Sequence, residues 1–122
     1  MRIFKTKLLA RFATREHLGD AGLVAAIRDA KNGLLGADLG GGIIKQRVAR
    51  AGKGKRGGYR MLIAFRSGDR AIFLYGFAKS DRDNIDAAEL LSLREIGAYW
   101  LAADKNMMLQ AIEDGLLIEV EQ

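Results

Sequence analysis

At 122 residues, 49% apolar and with a formal charge of +5, the chain can form one domain, residues 1–122, with its own core. The absence of cysteine excludes a disulfide framework and a thiolate metal site, and no apolar run approaches the roughly 20 residues of a membrane span. The first seven residues lack a signal-peptide hydrophobic region, so a cytoplasmic protein with no membrane partner is expected.

Ile3–Lys5 reads as a short first strand. Thr6 can cap a helix whose apolar face is Leu8, Leu9, Phe12 and Ala13. Gly19 breaks it, and Asp20 can cap a second helix with Leu23, Val24, Ile27 and Ala30 at helical spacing, ended by Gly33. The pair predicts a helical hairpin. Leu39-Gly40-Gly41-Gly42 reads as a flexible connection. Ile43–Ala49 alternates as a strand, with Ile44, Gln46 and Val48 on one face. A glycine-rich basic loop is expected over 51–58. Tyr59–Arg66 is the next strand, with Met61, Ile63 and Phe65 on one face. A turn at Ser67-Gly68-Asp69 leads into Ala71–Phe77, almost wholly apolar and therefore a central strand covered on both sides. Asp86 and Glu89 form a capping-box pattern for a helix to about Ala103. Its expected buried side is Leu90, Leu93, Ile96, Gly97, Trp100 and Leu101. Residues 104–122 add a short helix-and-strand appendix. The expected class is α+β: a twisted antiparallel sheet of about four strands, packed on the N-terminal hairpin and a C-terminal helix.

Charge is distributed in blocks. Residues 44–82 carry a net +9 and residues 83–122 a net −7. Blocks of opposite sign imply a partner surface, and nucleic acid is the usual partner of such a basic block. Its densest part is Lys53-Gly54-Lys55-Arg56-Gly57-Gly58-Tyr59-Arg60. A basic glycine loop joined to a strand that can aim its side chains suits a site acting on a phosphodiester backbone. If the strands at Tyr59 and Ala71 are adjacent and antiparallel, Tyr59, Arg60, Lys79 and Arg82 converge at one end of the sheet. Lysines and arginines on alternate strand positions are also what a merely solvated face would show, but cations from separate segments meeting at one place fit an anion site better.

Other chemistry fits poorly. Gly52 and Gly57 have P-loop spacing, but Gly58 stands where the lysine is needed. His17 is the one histidine, at a helix end. With no cysteine and with acids grouped in helical segments, no metal-ligand set and no cofactor are expected.

Residues 39–85 resemble the RelE/HigB-type toxins of bacterial type II toxin–antitoxin systems. The resemblance rests on Leu39-Gly40-Gly41-Gly42-Ile43-Ile44-Lys45, Arg47-Val48-Ala49, the stretch from Gly52 to Arg60, Leu74 to Lys79, and Arg82-Asp83-Asn84-Ile85. It implies a RelE-like microbial RNase fold and a ribosome-dependent mRNA endoribonuclease. It also implies an antitoxin partner, expected to be a helix-turn-helix protein with an acidic segment, through which alone operator DNA would be bound. On that template Arg60 stabilises the phosphorane, and Lys53 and Lys55 act as base or phosphate contacts. Lys79 and Arg82 bind or protonate at the leaving side. Lys45, Arg47, Arg56, Tyr59 and Arg82 are the expected RNA contacts. Ser80 stands where the family often has arginine, and Asp86 near the place of a tyrosine. Alternatives are a toxin of this fold that binds a protein target such as DNA gyrase, and a non-enzymatic RNA- or ribosome-binding module.

Overall fold

The computed structural model describes residues 1–50 and 54–122, with side chains undescribed at 54–56. The elements in order are β1 (Arg2–Thr6), α1 (Lys7–Arg15), α2 (Asp20–Lys31), β2 (Ala37–Asp38), β3 (Ile43–Arg50), β4 (Gly54–Arg66), β5 (Arg70–Ala78), α3 (Ala87–Ala102), α4 (Lys105–Glu113) and β6 (Leu117–Glu119). Six strands form one sheet in the order β2-β3-β4-β5-β1-β6. The four-stranded antiparallel sheet expected from sequence is thereby corrected. β1 runs parallel to β5, pairing Ile3 with Ala71 and Lys5 with Phe73, so the sheet is mixed. At one edge β2, two residues long, is too short to carry a period; at the other, β6 is the strand expected in the 104–122 appendix, three residues long.

The apolar pattern divides the core into two layers. On one face Ile44, Val48, Tyr59, Met61, Ile63 and Phe73 pack against Leu9 and Phe12 of α1 and Leu23 and Ile27 of α2. On the other Ile43, Leu62, Ala64, Ile72 and Leu74 meet Leu93 and Leu101 of α3 and Met108 of α4. β5 lies inside the sheet and contributes to both, as its continuous apolar run requires. At Gly97, α3 lies so close to the sheet that an added Cβ would fall 2.6 Å from Ile43 Cδ1. The opposite flank of α3 is open: Ile96, expected to be buried, is 45% exposed. The helix is apolar on most sides, so its spacing does not single out the inward one.

The helix starts follow local chemistry. Thr6 accepts from Leu9 N at 3.2 Å. Asp86 accepts from Glu89 N while Glu89 accepts from Asp86 N, closing the capping box. Gly19, not Asp20, is the N-cap of α2. His17 takes a positive φ of 55° just past α1. The expected loop over 51–58 is also corrected, since the chain is already strand at Gly54, which pairs with Arg50. Among the described residues no helix is long and apolar enough to cross a membrane.

Candidate functional site

The β3–β4–β5 register brings the candidate cations together. Arg47 stands opposite Arg60, and Lys45 opposite Leu62. Arg60 in turn stands opposite Phe77 on β5. Alternation puts Lys45, Arg47 and Arg60 on the face that α3 covers. However, α3 makes its close approach at Ala64 and Ile43. Arg60 lies four residues from Ala64, about 13 Å along the strand, beyond that cover.

Arg60 is 7% exposed. Its Nη1 is buried and makes no hydrogen bond, and among the described residues no carboxylate pairs with it. Burial, and then the charge of Arg47, push its guanidinium below the ordinary arginine value. Like charges directly opposite on paired strands are destabilising, and a buried donor without a partner costs about 1–3 kcal/mol or more. An anion placed against Arg60 and Arg47 would relieve both costs. Arg47 is exposed, and Lys45 half-buried. Lys79 is exposed immediately beyond β5, tied to β4 by its backbone N–H donating to Gly58 O at 3.2 Å.

Arg82 is placed differently. Its guanidinium bonds Glu89 twice, at 3.0 and 2.6 Å. It also donates to Asn84 O at 2.9 Å and Tyr75 Oη at 3.4 Å, and lies 5.6 Å from the centroid of the Phe77 ring. Glu89 is held down to about 2, chiefly by the Arg82 hydrogen bonds and then by Asp86 N–H. Arg82 therefore has its donors turned inward, joining the end of β5 to the start of α3.

Tyr59, expected to contact RNA, is corrected. It is 2% exposed and belongs to the hairpin-side core. It packs edge-on against Phe12, and its hydroxyl donates to Glu16 O at 3.4 Å. Neighbouring strand residues point to opposite faces, so aiming Arg60 at one side sends Tyr59 to the other. Lys53 lies outside the described residues, and so do the side chains of Lys55 and Arg56.

Sequence reasoning passed over the aromatic floor of this corner. Tyr75 and Phe77 have ring centroids 6.1 Å apart. A register shift between Leu62 and Ile63 lets Tyr75 follow Leu74 onto the α3 face, and a bulge of this kind has no signature in an all-apolar run. Among the described residues no group of three or more His, Asp or Glu side chains is placed to share a metal ion.

The sequence model of the RelE toxin of the RelE / RelB toxin–antitoxin system matches residues 1–120. No curated protein and no solved structure matches the chain.

Proposed function

The chain belongs to the RelE toxin family, and from that premise we propose that it is an endoribonuclease that cleaves mRNA on the ribosome and so arrests translation. The observation that carries this reading is the buried, unpartnered Arg60 guanidinium opposite Arg47. In-line attack of an RNA 2′-oxygen on the adjacent phosphodiester makes a phosphorane with one more negative charge than the ground state. A fixed donor aimed where that charge develops lowers the barrier without reorganising during the reaction. Arg60 would take that role, with Arg47 and Lys45 holding flanking phosphates and Lys79 serving the leaving 5′-oxygen. Lys53 or Lys55 would supply the base, since neighbouring cations lower a lysine pKa. Arg56 would add a phosphate contact. Arg82 would hold the wall of the site, a departure from the contact expected of it. This chemistry is carried by side-chain cations and needs no metal for the bond-breaking step.

Family membership also implies a cognate antitoxin. Phosphate-seeking cations accept carboxylates by the same geometry, so an acidic antitoxin segment over Arg60 and Lys79 would block the site by imitating its substrate's charge.

The test is to map mRNA 5′ ends after induced expression, with Arg60→Ala as control, and to identify the ends produced. Internal cleavage in translated regions leaving a 2′,3′-cyclic phosphate is expected. Ends bearing 3′-hydroxyl and 5′-phosphate would overturn the mechanism.

A further inference from the structure

β5 breaks its own alternation one step from Arg60. Leu62 of β4 stands opposite Tyr75 and the next residue, Ile63, opposite Phe73, so Leu74 has no residue across from it. An extra residue of this kind re-aims the side chains around it. Phe73 belongs to the hairpin-side core and Leu74 to the α3-side core. Regular alternation would return Tyr75 to the hairpin side; the bulge keeps it on the face of Arg60. Gly76 takes the hairpin side instead, where a Cβ would fall 2.7 Å from Met61 Sδ and 3.2 Å from Leu9 Cδ2.

Two rings therefore follow each other along the Arg60 face of β5. Phe77, directly opposite Arg60, is only 4% exposed and closed off. Tyr75 is half-buried and stands where the sheet opens. β1 pairs with β5 only as far as Phe73, and the Thr6 hydroxyl donates to Leu74 O at 3.2 Å as the chain leaves for α1. A hollow of about 180 Å³ lies between the Tyr75 ring and Glu89, Ser92 and Leu93 of α3. Ser92 is exposed, and its hydroxyl makes no hydrogen bond among the described residues. Arg82 braces both walls, meeting Tyr75 Oη at 3.4 Å and Glu89 at 3.0 and 2.6 Å. The ring is thus held in place before any ligand arrives, which lowers the entropy cost of stacking on it.

We infer that Tyr75 stacks the base of the nucleotide whose 2′-oxygen attacks, seating it in this hollow against Leu93 with its edge toward the Ser92 hydroxyl. The inference rests on the ribonuclease reading above and adds a base-binding subsite to it. Tyr75 and Lys79 lie on opposite sides of Phe77 along β5, and so on opposite sides of Arg60. With Lys79 at the leaving 5′-oxygen, Tyr75 falls to the attacking nucleotide. An aromatic face accepts any base, whereas a base inside a duplex is already stacked and paired, so the site takes a single strand here. A protein segment could fill the hollow, but the surface beside it is cationic at Arg47, Arg60 and Lys79, and RNA presents a phosphate and a planar ring side by side.

The test compares an mRNA cut on the ribosome with the same mRNA made abasic at the nucleotide 5′ of the cut. Tyr75→Leu should lower kcat/KM by about 10–100-fold on the ordinary RNA, the scale of one lost base stack, through KM more than kcat. Removing the base should cost the wild type a similar factor and cost Tyr75→Leu little more, because both changes remove one contact. Tyr75→Phe keeps the ring and should match wild type. An equal loss for Tyr75→Leu on both RNAs would make the ring a mere support of the corner and overturn the inference. Undiminished wild-type cleavage of the abasic RNA would overturn it too. So would weakened antitoxin binding in Tyr75→Leu with cleavage unchanged, which would give the hollow to protein. Versions of both RNAs with a 2′-deoxy sugar at that nucleotide cannot be cut and report binding alone. If the wild type cleaves no RNA, the ribonuclease reading fails, while tighter binding of the base-bearing RNA still supports the stack and equal binding of the two overturns it.

Discussion

Arg60 and Arg82 both lie beside Phe77, one across the strand register and one over its ring, yet they are held in opposite ways. Arg82 meets a carboxylate, a carbonyl and a phenol. Arg60 meets another arginine, is more buried, and leaves a donor without a partner. A fold gains nothing from the second arrangement. The difference separates a cation that holds the protein together from one that waits for a ligand, which charge counting along the sequence does not do.

The sharpest way to break this comparison is Arg60→Ala. Loss of one preorganised donor costs about 10²–10³ in rate, so growth inhibition should disappear. Removing an unpaired buried charge should leave the melting temperature unchanged or higher. Equal toxicity at matched expression would refute the assignment of Arg60, and a collapsed fold would make it a structural residue instead.

Arg82→Ala should give the reverse pattern. It should lower the melting temperature and reduce cleavage less than Arg60→Ala, by loosening the corner that Arg60 shares. The dependence of RNA affinity on salt should not change. A residue that holds a phosphate contributes about one unit to that log–log slope, so a slope reduced by one would return Arg82 to the RNA contacts.

The sequence exposed the parts of this corner that depend on neighbours in the chain. The cap at Asp86, the alternation of Ile44, Gln46 and Val48, and the meeting of Arg60 with Lys79 at one end of the sheet follow from period and turn position. What stayed hidden depends on pairing across distance. Arg47 opposite Arg60 needs the β3–β4 register, which shifts between Val48 and Arg50. Arg82 reads as one more cation in a basic block until α3 brings Glu89 to it. Tyr59 beside Arg60 suggests a shared task, but strand alternation sends it into the core. The parallel pairing of β1 with β5 links residues nearly seventy apart, where local pattern has no purchase.

The smallest effect tests the Arg82 side of the comparison through pH. Glu89 is held at about 2 in the folded protein, against an ordinary 4.5, by Arg82 first and by Asp86 N–H. Its carboxylate form is thus favoured by folding. The stability it contributes is fully present above about pH 4.5 and is lost as pH falls toward 2. The Glu89 side chain is 35% exposed, so solvent screens the pair and keeps the contribution modest. Glu89→Gln should therefore lower the melting temperature slightly at neutral pH and flatten the acid limb of the stability curve between those two values. Arg82→Ala should flatten the same limb, and combining the two should add little to either, because each removes the same pair. In Arg82→Ala the bond from Asp86 N–H still favours the Glu89 carboxylate, so any residual slope there reports that cap, whereas the glutamine variant has no carboxylate at this position to titrate. If the wild-type acid limb is matched by both variants, Glu89 and Arg82 are not coupled in solution, and Arg82 is as free to meet RNA as Arg60.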